Sequence, residues 1–172
     1  MNPGRIILVL GGARSGKSAF AEGLIAASGL KKAYVATGQV FDSEMETRVD
    51  LHKARRGSEW ALVEEPLDLA GALERATASD TAVLVDCLTL WVTNLMMAKR
   101  QVTDETRQLV ETIAKLSGTI VFVSNEVGQG IVPDNAMSRA FRDHAGLLHQ
   151  TVAAVADEVY FVTAGLPLKL KG

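Results

Sequence analysis

The stretch Ile6-Ile7-Leu8-Val9-Leu10-Gly11-Gly12-Ala13-Arg14-Ser15-Gly16-Lys17-Ser18 decides the fold. Its first five residues are an uninterrupted aliphatic run, which reads as a strand buried on both faces of a parallel sheet. The next eight match G-x-x-x-x-G-K-[ST]. Glycines let such a loop curl until its main-chain N–H groups converge on phosphate oxygens, and the helix that follows turns its positive end to the same place. The Lys17 ammonium reaches β- and γ-phosphates during transfer, and the Ser18 hydroxyl is an oxygen ligand for Mg²⁺. Gly11, Gly12, Ala13, Arg14, Ser15, Gly16, Lys17 and Ser18 are thus the expected phosphate-binding residues.

Outward from this stretch the chain keeps one rhythm. Strand-length apolar runs fall at 6–10, 33–36, 82–85, 119–123 and 158–162, and helix-like segments at 17–27, 44–56, 67–78, 90–99, 104–116 and 136–156. Ser43 and Glu46 make a capping box for the second helix, and Gly57 closes it. Alternating strands and helices predict an α/β layered domain of the P-loop type: a mostly parallel central sheet flanked by helices, with right-handed crossovers. No repeat, low-complexity tract or linker divides the 172 residues, so residues 1–172 are read as one domain. The least regular part, 126–135, holds Gly128, Gly130 and Pro133 and reads as a loop leaving a strand end, where ligands bind in such sheets.

Charge and composition exclude several classes. Eighteen Lys and Arg stand against twenty Asp and Glu, a net charge of −2, and aromatics make up 5%. Neither a basic field nor a stacking platform for nucleic acid is present. No apolar run approaches the length of a membrane span, about 18–20 residues. Cys87 is the sole cysteine, so no intrachain disulfide forms, and a reducing, cytoplasmic setting is expected. With three histidines and one cysteine, no structural zinc site is expected.

Two further features carry chemistry. The apolar run 82–85 ends in Asp86, the place where a carboxylate holds Mg²⁺ beside a phosphate loop. In the segment 44–56, Arg48 lies four residues before His52, and Arg55 and Arg56 lie three and four after it, so all share one helix face. Over residues 48–56 the four cations Arg48, Lys53, Arg55 and Arg56 face only Asp50. Neighbouring positive charge keeps an imidazole neutral, with a free lone pair, while the guanidinium groups hold phosphate. Such a histidine suits base or nucleophile chemistry at phosphorus. Met45 and Val49 lie on the same side, so a packed histidine on an amphipathic helix is the competing reading. His144 and His149 read as helix-surface or packing residues, Cys87 as a small core residue, and 88–98 as a buried or subunit-contact segment.

Taken together the motifs resemble one family. They are residues 11–18, Ala36-Thr37-Gly38, the Arg48…His52…Arg56 segment, Asp86-Cys87-Leu88-Thr89-Leu90-Trp91, Ser124-Asn125-Glu126-Val127-Gly128-Gln129-Gly130-Ile131-Val132-Pro133, and the stretch from Phe141-Arg142-Asp143 through Ala156-Asp157-Glu158-Val159. The chain resembles, over nearly its whole length, the bifunctional adenosylcobinamide kinase/adenosylcobinamide-phosphate guanylyltransferases of cobalamin biosynthesis. The resemblance implies phosphorylation of the aminopropanol hydroxyl of adenosylcobinamide by a nucleoside triphosphate. It then implies transfer of GMP from GTP to that phosphate through a GMP–histidine, the matching residue being His52. It implies nucleotide contacts at Ala36, Thr37, Gly38, Lys53, Ala54, Arg55, Arg56, Glu64 and Asp86, with the Glu64 carboxylate accepting from the N–H edge of guanine. Asp86 is thereby divided between metal and nucleotide. ATP and GTP are the implied substrates beside the corrinoid, Mg²⁺ the implied cofactor, and a homo-oligomer, typically a trimer, the implied assembly. A single-activity small-molecule kinase without covalent nucleotidylation is the alternative. One departure is His149, where the family usually has Asn before Gln150.

Overall fold

A computed structural model of the chain describes residues 4–39 and 59–172. The seven strands are β1 (Arg5–Gly11), β2 (Lys31–Ala36), β3 (Trp60–Glu64), β4 (Thr81–Asp86), β5 (Thr119–Asn125), β6 (Glu158–Thr163) and β7 (Leu166–Lys171). The five helices among the described residues are α1 (Lys17–Ala27), α2 (Leu69–Ala76), α3 (Leu88–Met97), α4 (Val102–Ile113) and α5 (Ala136–Val155). The expected helix over 44–56, with its Ser43–Glu46 box and Gly57, lies outside the described residues.

The strands form one sheet in the order β3-β2-β4-β5-β1-β6-β7, parallel at every pairing except β6 with β7. The aliphatic runs explain the layering. In β1, Ile6, Leu8 and Leu10 face the layer of Leu69, Leu73, Leu88, Trp91, Leu109 and Leu148. Ile7 and Val9 face Ala21 and Ile25 of α1. Both faces are covered, so no polar position interrupts the strand, as its sequence required.

The sheet order carries the functional consequence. β5 lies between β1 and β4, so the strand ending in Asp86 is not beside the strand that enters the phosphate loop. Two spacings of about 4.8 Å put Asp86 roughly 10 Å from β1 across the sheet. The residue opposite Gly11 is Asn125, while Asp86 pairs with Val123 on one side and Ala36 on the other, and Ala36 pairs with Glu64.

Two strands fall outside the sequence expectation. β3 is a five-residue edge strand whose side chains are mostly exposed, so it lacks a buried run. β7 is exposed throughout and contains Pro167, whose missing N–H is tolerated at an edge. The turn between β6 and β7, Ala164 at φ 52 and Gly165 at φ 77, has both central residues left-handed, the geometry of a tight hairpin.

Candidate active site

The phosphate loop is shaped by contacts that only its glycines permit. A β carbon on Gly11 would stand 2.5 Å from Ser15 Oγ and 2.5 Å from the carbonyl oxygen of Val162. Gly16 sits at φ +94, and a β carbon there would meet Gly165 Cα at 3.0 Å. Ser15 N–H donates to Gly12 O at 3.3 Å, and Gly165 N–H donates to Ser15 O at 2.8 Å. The β6–β7 hairpin therefore braces the loop from outside, a role that sequence reasoning missed because the bracing atoms are main chain.

What the loop leaves over is donor capacity. Gly16 is the N-cap of α1, no side chain caps the helix, and its first turn holds no acidic residue. α3 and α4 likewise lack a side-chain cap, whereas α2 is capped by Asp68, which accepts from Gly71 N–H, and α5 by Asn135, which accepts from Ser138 N–H. An uncapped N-terminus keeps orphan N–H groups and partial positive charge together, the arrangement that receives an anion. Ser15 Oγ is buried without a hydrogen-bond partner among the described residues. Lys17 is 9% exposed and donates from Nζ to Gly12 O at 3.1 Å.

The turn after β2 is locked to the end of β4. Thr37 is wholly buried; its Oγ1 donates to Cys87 O at 2.7 Å and accepts from Cys87 N–H at 2.9 Å. Thr37 N–H donates to Asp86 O at 3.3 Å. Asn94 Nδ2 donates to Thr37 O at 2.6 Å and to Pro66 O at 3.0 Å. Thr37 therefore offers no side chain to a ligand, and a contact from this turn must come from Ala36, Gly38 or main chain. The signal for Asn94 was available: it is an amide inside an otherwise apolar helix.

Cys87, which follows Asp86, is 4% exposed. Burial, then the Asp86 carboxylate, push its thiol up to about 11, while the Thr89 hydroxyl and the Lys17 ammonium pull it down. Lys17 and Asp86 thus act on one buried sulfur. Thr89 Oγ1 lies 3.2 Å from Cys87 Sγ and accepts from Asn125 Nδ2 at 3.1 Å. The polar chain continues on the other face of β5, where Ser124 Oγ is 2.7 Å from His149 Nε2. Burial holds the His149 imidazole below its usual range, with Glu126 pulling it back up. His149 is a packing residue, tied to the end of β5.

Of the other expected site residues, Glu64 stands exposed at the end of β3, four strands from β1. His52, Arg48, Lys53, Ala54, Arg55 and Arg56 lie outside the described residues. A groove of about 270 Å³ lies between α4 and α5, lined by Val102, Val110, His144, Leu147 and Leu148, and belongs to the helical layer, not to the phosphate loop.

A family model described as cobinamide kinase / cobinamide phosphate guanyltransferase matches residues 7–170. The chain is 48% identical over 167 residues to the bifunctional adenosylcobalamin biosynthesis protein CobP of Pseudomonas aeruginosa, with 96% of each chain covered. It is 40% identical over 181 aligned positions to the bifunctional adenosylcobalamin biosynthesis protein CobU of Salmonella typhimurium, covering 96% of this chain and 99% of that one. Among solved structures it resembles PH0250 from Pyrococcus horikoshii OT3, at 8% identity and a TM-score of 0.60 over 100% of this chain and 88% of that one. It also resembles the RadB recombinase, at 19% identity and a TM-score of 0.52 over 92% and 74%. At these identities the structural likeness establishes the fold alone.

Proposed function

The chain belongs to the cobinamide kinase / cobinamide phosphate guanyltransferase family, and we propose that it runs both transfers of that family at the one phosphate site formed by residues 11–18. It is a bifunctional transferase of cobalamin biosynthesis. The observation that carries the one-site reading is the uncapped end of α1, wrapped by a loop whose Ser15 hydroxyl is buried without a partner.

In the first transfer the aminopropanol hydroxyl of adenosylcobinamide attacks the γ-phosphorus of a nucleoside triphosphate, ATP or GTP. The main-chain N–H groups of the loop and Lys17 hold the β- and γ-phosphates and offset the charge that gathers on the leaving diphosphate. In the second, an imidazole nitrogen of His52 bonds to the α-phosphorus of GTP as the bond to the α–β bridging oxygen breaks and pyrophosphate leaves. The corrinoid phosphate then displaces His52, giving adenosylcobinamide-GDP. Splitting one exchange into two in-line displacements lets the same loop hold the departing pyrophosphate before the large acceptor arrives. Arg48, Lys53, Arg55 and Arg56 keep His52 neutral and hold phosphate beside it.

Ser18 and Asp86 fit Mg²⁺ by their donor chemistry, a hydroxyl and a carboxylate oxygen. No group of three or more His, Cys, Asp or Glu that could hold a metal occurs among the described residues. A site completed by phosphate oxygens and waters, as Mg²⁺ takes in such enzymes, is what these two donors suit. Bound there, the ion would neutralise phosphate charge. In register Ala36 lies between Asp86 and Glu64, so nucleotide contacts from Ala36, Gly38 and the Thr37 main chain would fall between that site and Glu64, which accepts from guanine at the far end. No described helix is long and apolar enough to cross a membrane. We read residues 1–172 as one catalytic unit that acts in the cytoplasm as a homo-oligomer, with three copies expected, a number that light scattering reads directly.

The test is a staged product assay. ATP and adenosylcobinamide should give adenosylcobinamide phosphate, and added GTP should convert it to adenosylcobinamide-GDP with release of pyrophosphate. Lys17→Ala should lose both steps. A chain that stops at the phosphate would be a single-activity kinase.

A further inference from the structure

The two transfers differ in one requirement. A neutral hydroxyl must lose a proton as it is phosphorylated, whereas a neutral imidazole and a phosphate oxygen attack without giving one up. The phosphorylation step alone therefore calls for a base at the γ-phosphate end of the site.

Among the described residues the carboxyl edge of the sheet presents few carboxylates. Glu64 ends β3, four strands from β1, and Asp86 ends β4, two strands away and already assigned to the metal. Glu126 is different. It follows Asn125, the residue opposite Gly11, and its own N–H donates to Gly11 O at 3.0 Å. Its main chain thus rests on the first residue of the phosphate loop. Its carboxylate is oriented: Oε1 accepts from Gly128 N–H, and a β carbon on Gly128 would stand 2.9 Å from that oxygen. No described residue is hydrogen-bonded to Oε2. The preceding side chain is fixed as well, since Asn125 Nδ2 donates to Thr89 Oγ1.

Resting on the functional reading above, we propose that Glu126 is the general base of the phosphorylation step. Its carboxylate takes the proton of the acceptor hydroxyl while the hydroxyl oxygen bonds to the γ-phosphorus. The bond from that phosphorus to the β–γ bridging oxygen breaks, and nucleoside diphosphate leaves with the electron pair. Glu126 has no part in forming the GMP–histidine. This gives a task to the residue run 124–133, which the phosphate loop and His52 leave unexplained.

The experiment uses the full chain and reads two activities from one preparation: phosphorylation of adenosylcobinamide by ATP, and capture of GMP from GTP alone. In Glu126→Gln the kcat for phosphorylation should fall about 100-fold or more, the range a positioned base supplies, with KM for ATP near parental and GMP capture retained. Glu126→Asp, which keeps a carboxylate one methylene shorter, should recover part of the loss. Near-parental phosphorylation in Glu126→Gln, or equal loss of both activities, would overturn the assignment. A parent chain that captures GMP but phosphorylates no acceptor would overturn the functional reading itself, and the assignment with it.

Discussion

Thr37 and Cys87 are joined by two hydrogen bonds through a single hydroxyl, which donates to the Cys87 carbonyl at 2.7 Å and accepts from the Cys87 N–H at 2.9 Å. The pair sits where β2 and β4 both end, and Thr37 is fully buried. One side chain thus bonds both main-chain groups of Cys87, the residue that follows Asp86 and stands at the N-cap position of α3. The turn after β2 and the start of α3 hold their relative position through it.

Replacing Thr37 with Val keeps the shape and removes the hydroxyl. The Cys87 N–H is then buried without its partner, at about 1–3 kcal/mol for an orphaned group, while the Cys87 carbonyl keeps the Trp91 N–H at 3.2 Å. The expected loss in urea unfolding is about 1–3 kcal/mol, with an unchanged m-value. A variant as stable as the parent would mean that water or main chain replaces the hydroxyl.

Cys87 should be silent in the folded protein. It is 4% exposed, and burial and Asp86 raise its thiol to about 11 from the ordinary 9.0. A disulfide reagent at pH 8 should titrate no thiol in the native chain and one in denaturant. Because the folded pKa is the higher, this thiol's contribution to stability is full below about 9 and is lost as pH rises toward about 11. Cys87→Ala should flatten that alkaline limb.

The acid limb belongs to Glu158, at the opposite edge of the sheet. Tyr160 donates to it, Arg5 forms an ion pair with it, and Lys169 lies at 3.0 Å. The Tyr160 hydrogen bond, with Arg5 and Lys169, holds its carboxyl down to about 2 from the ordinary 4.5. A depressed carboxyl contributes stability that is present above about 4.5 and lost as pH falls toward about 2. Glu158→Gln should weaken the acid dependence of unfolding while leaving nucleotide binding unchanged, since β1 separates Arg5 from the phosphate loop by its full length.

Gly11→Ala should act on binding. The added carbon meets the Val162 carbonyl, which is main chain, so the loop must shift rather than a side chain. Strain of about 1–3 kcal/mol in the bound loop corresponds to roughly tenfold weaker nucleotide binding or more. Calorimetric titration with GTP reads it; an unchanged affinity would show that the loop accepts the shift.

Much of this was legible in the chain, and the reasons are local. The run 6–18 announced a strand, a loop and a helix because burial on two faces and phosphate binding each leave a mark on consecutive residues. Asp86 was recognisable as a strand end, and 88–98 as a buried or subunit-contact segment. Hidden were the relationships between distant residues. Nothing in the spacing told that β5 enters between β1 and β4, since strand order arises from packing and not from periodicity. β7 carried Pro167 and no buried side chain, so its pattern argued against the strand it forms. Thr37 stood in a motif as a nucleotide contact, yet its hydroxyl faces Cys87, fifty positions away. A separation of 25 positions concealed the contact of Ser124 with His149 in the same way. The bracing of Ser15 by Gly165 uses main-chain atoms, which every residue type supplies.

The claim of one phosphate site serving a covalent guanylyl transfer is tested most directly by incubating the full chain with GTP and no corrinoid, then measuring the mass of the intact protein and its peptides. The expected result is a gain of one GMP, acid-labile, on the peptide carrying His52, and no gain in His52→Ala. An unmodified parent, or an adduct that persists in His52→Ala, would contradict it.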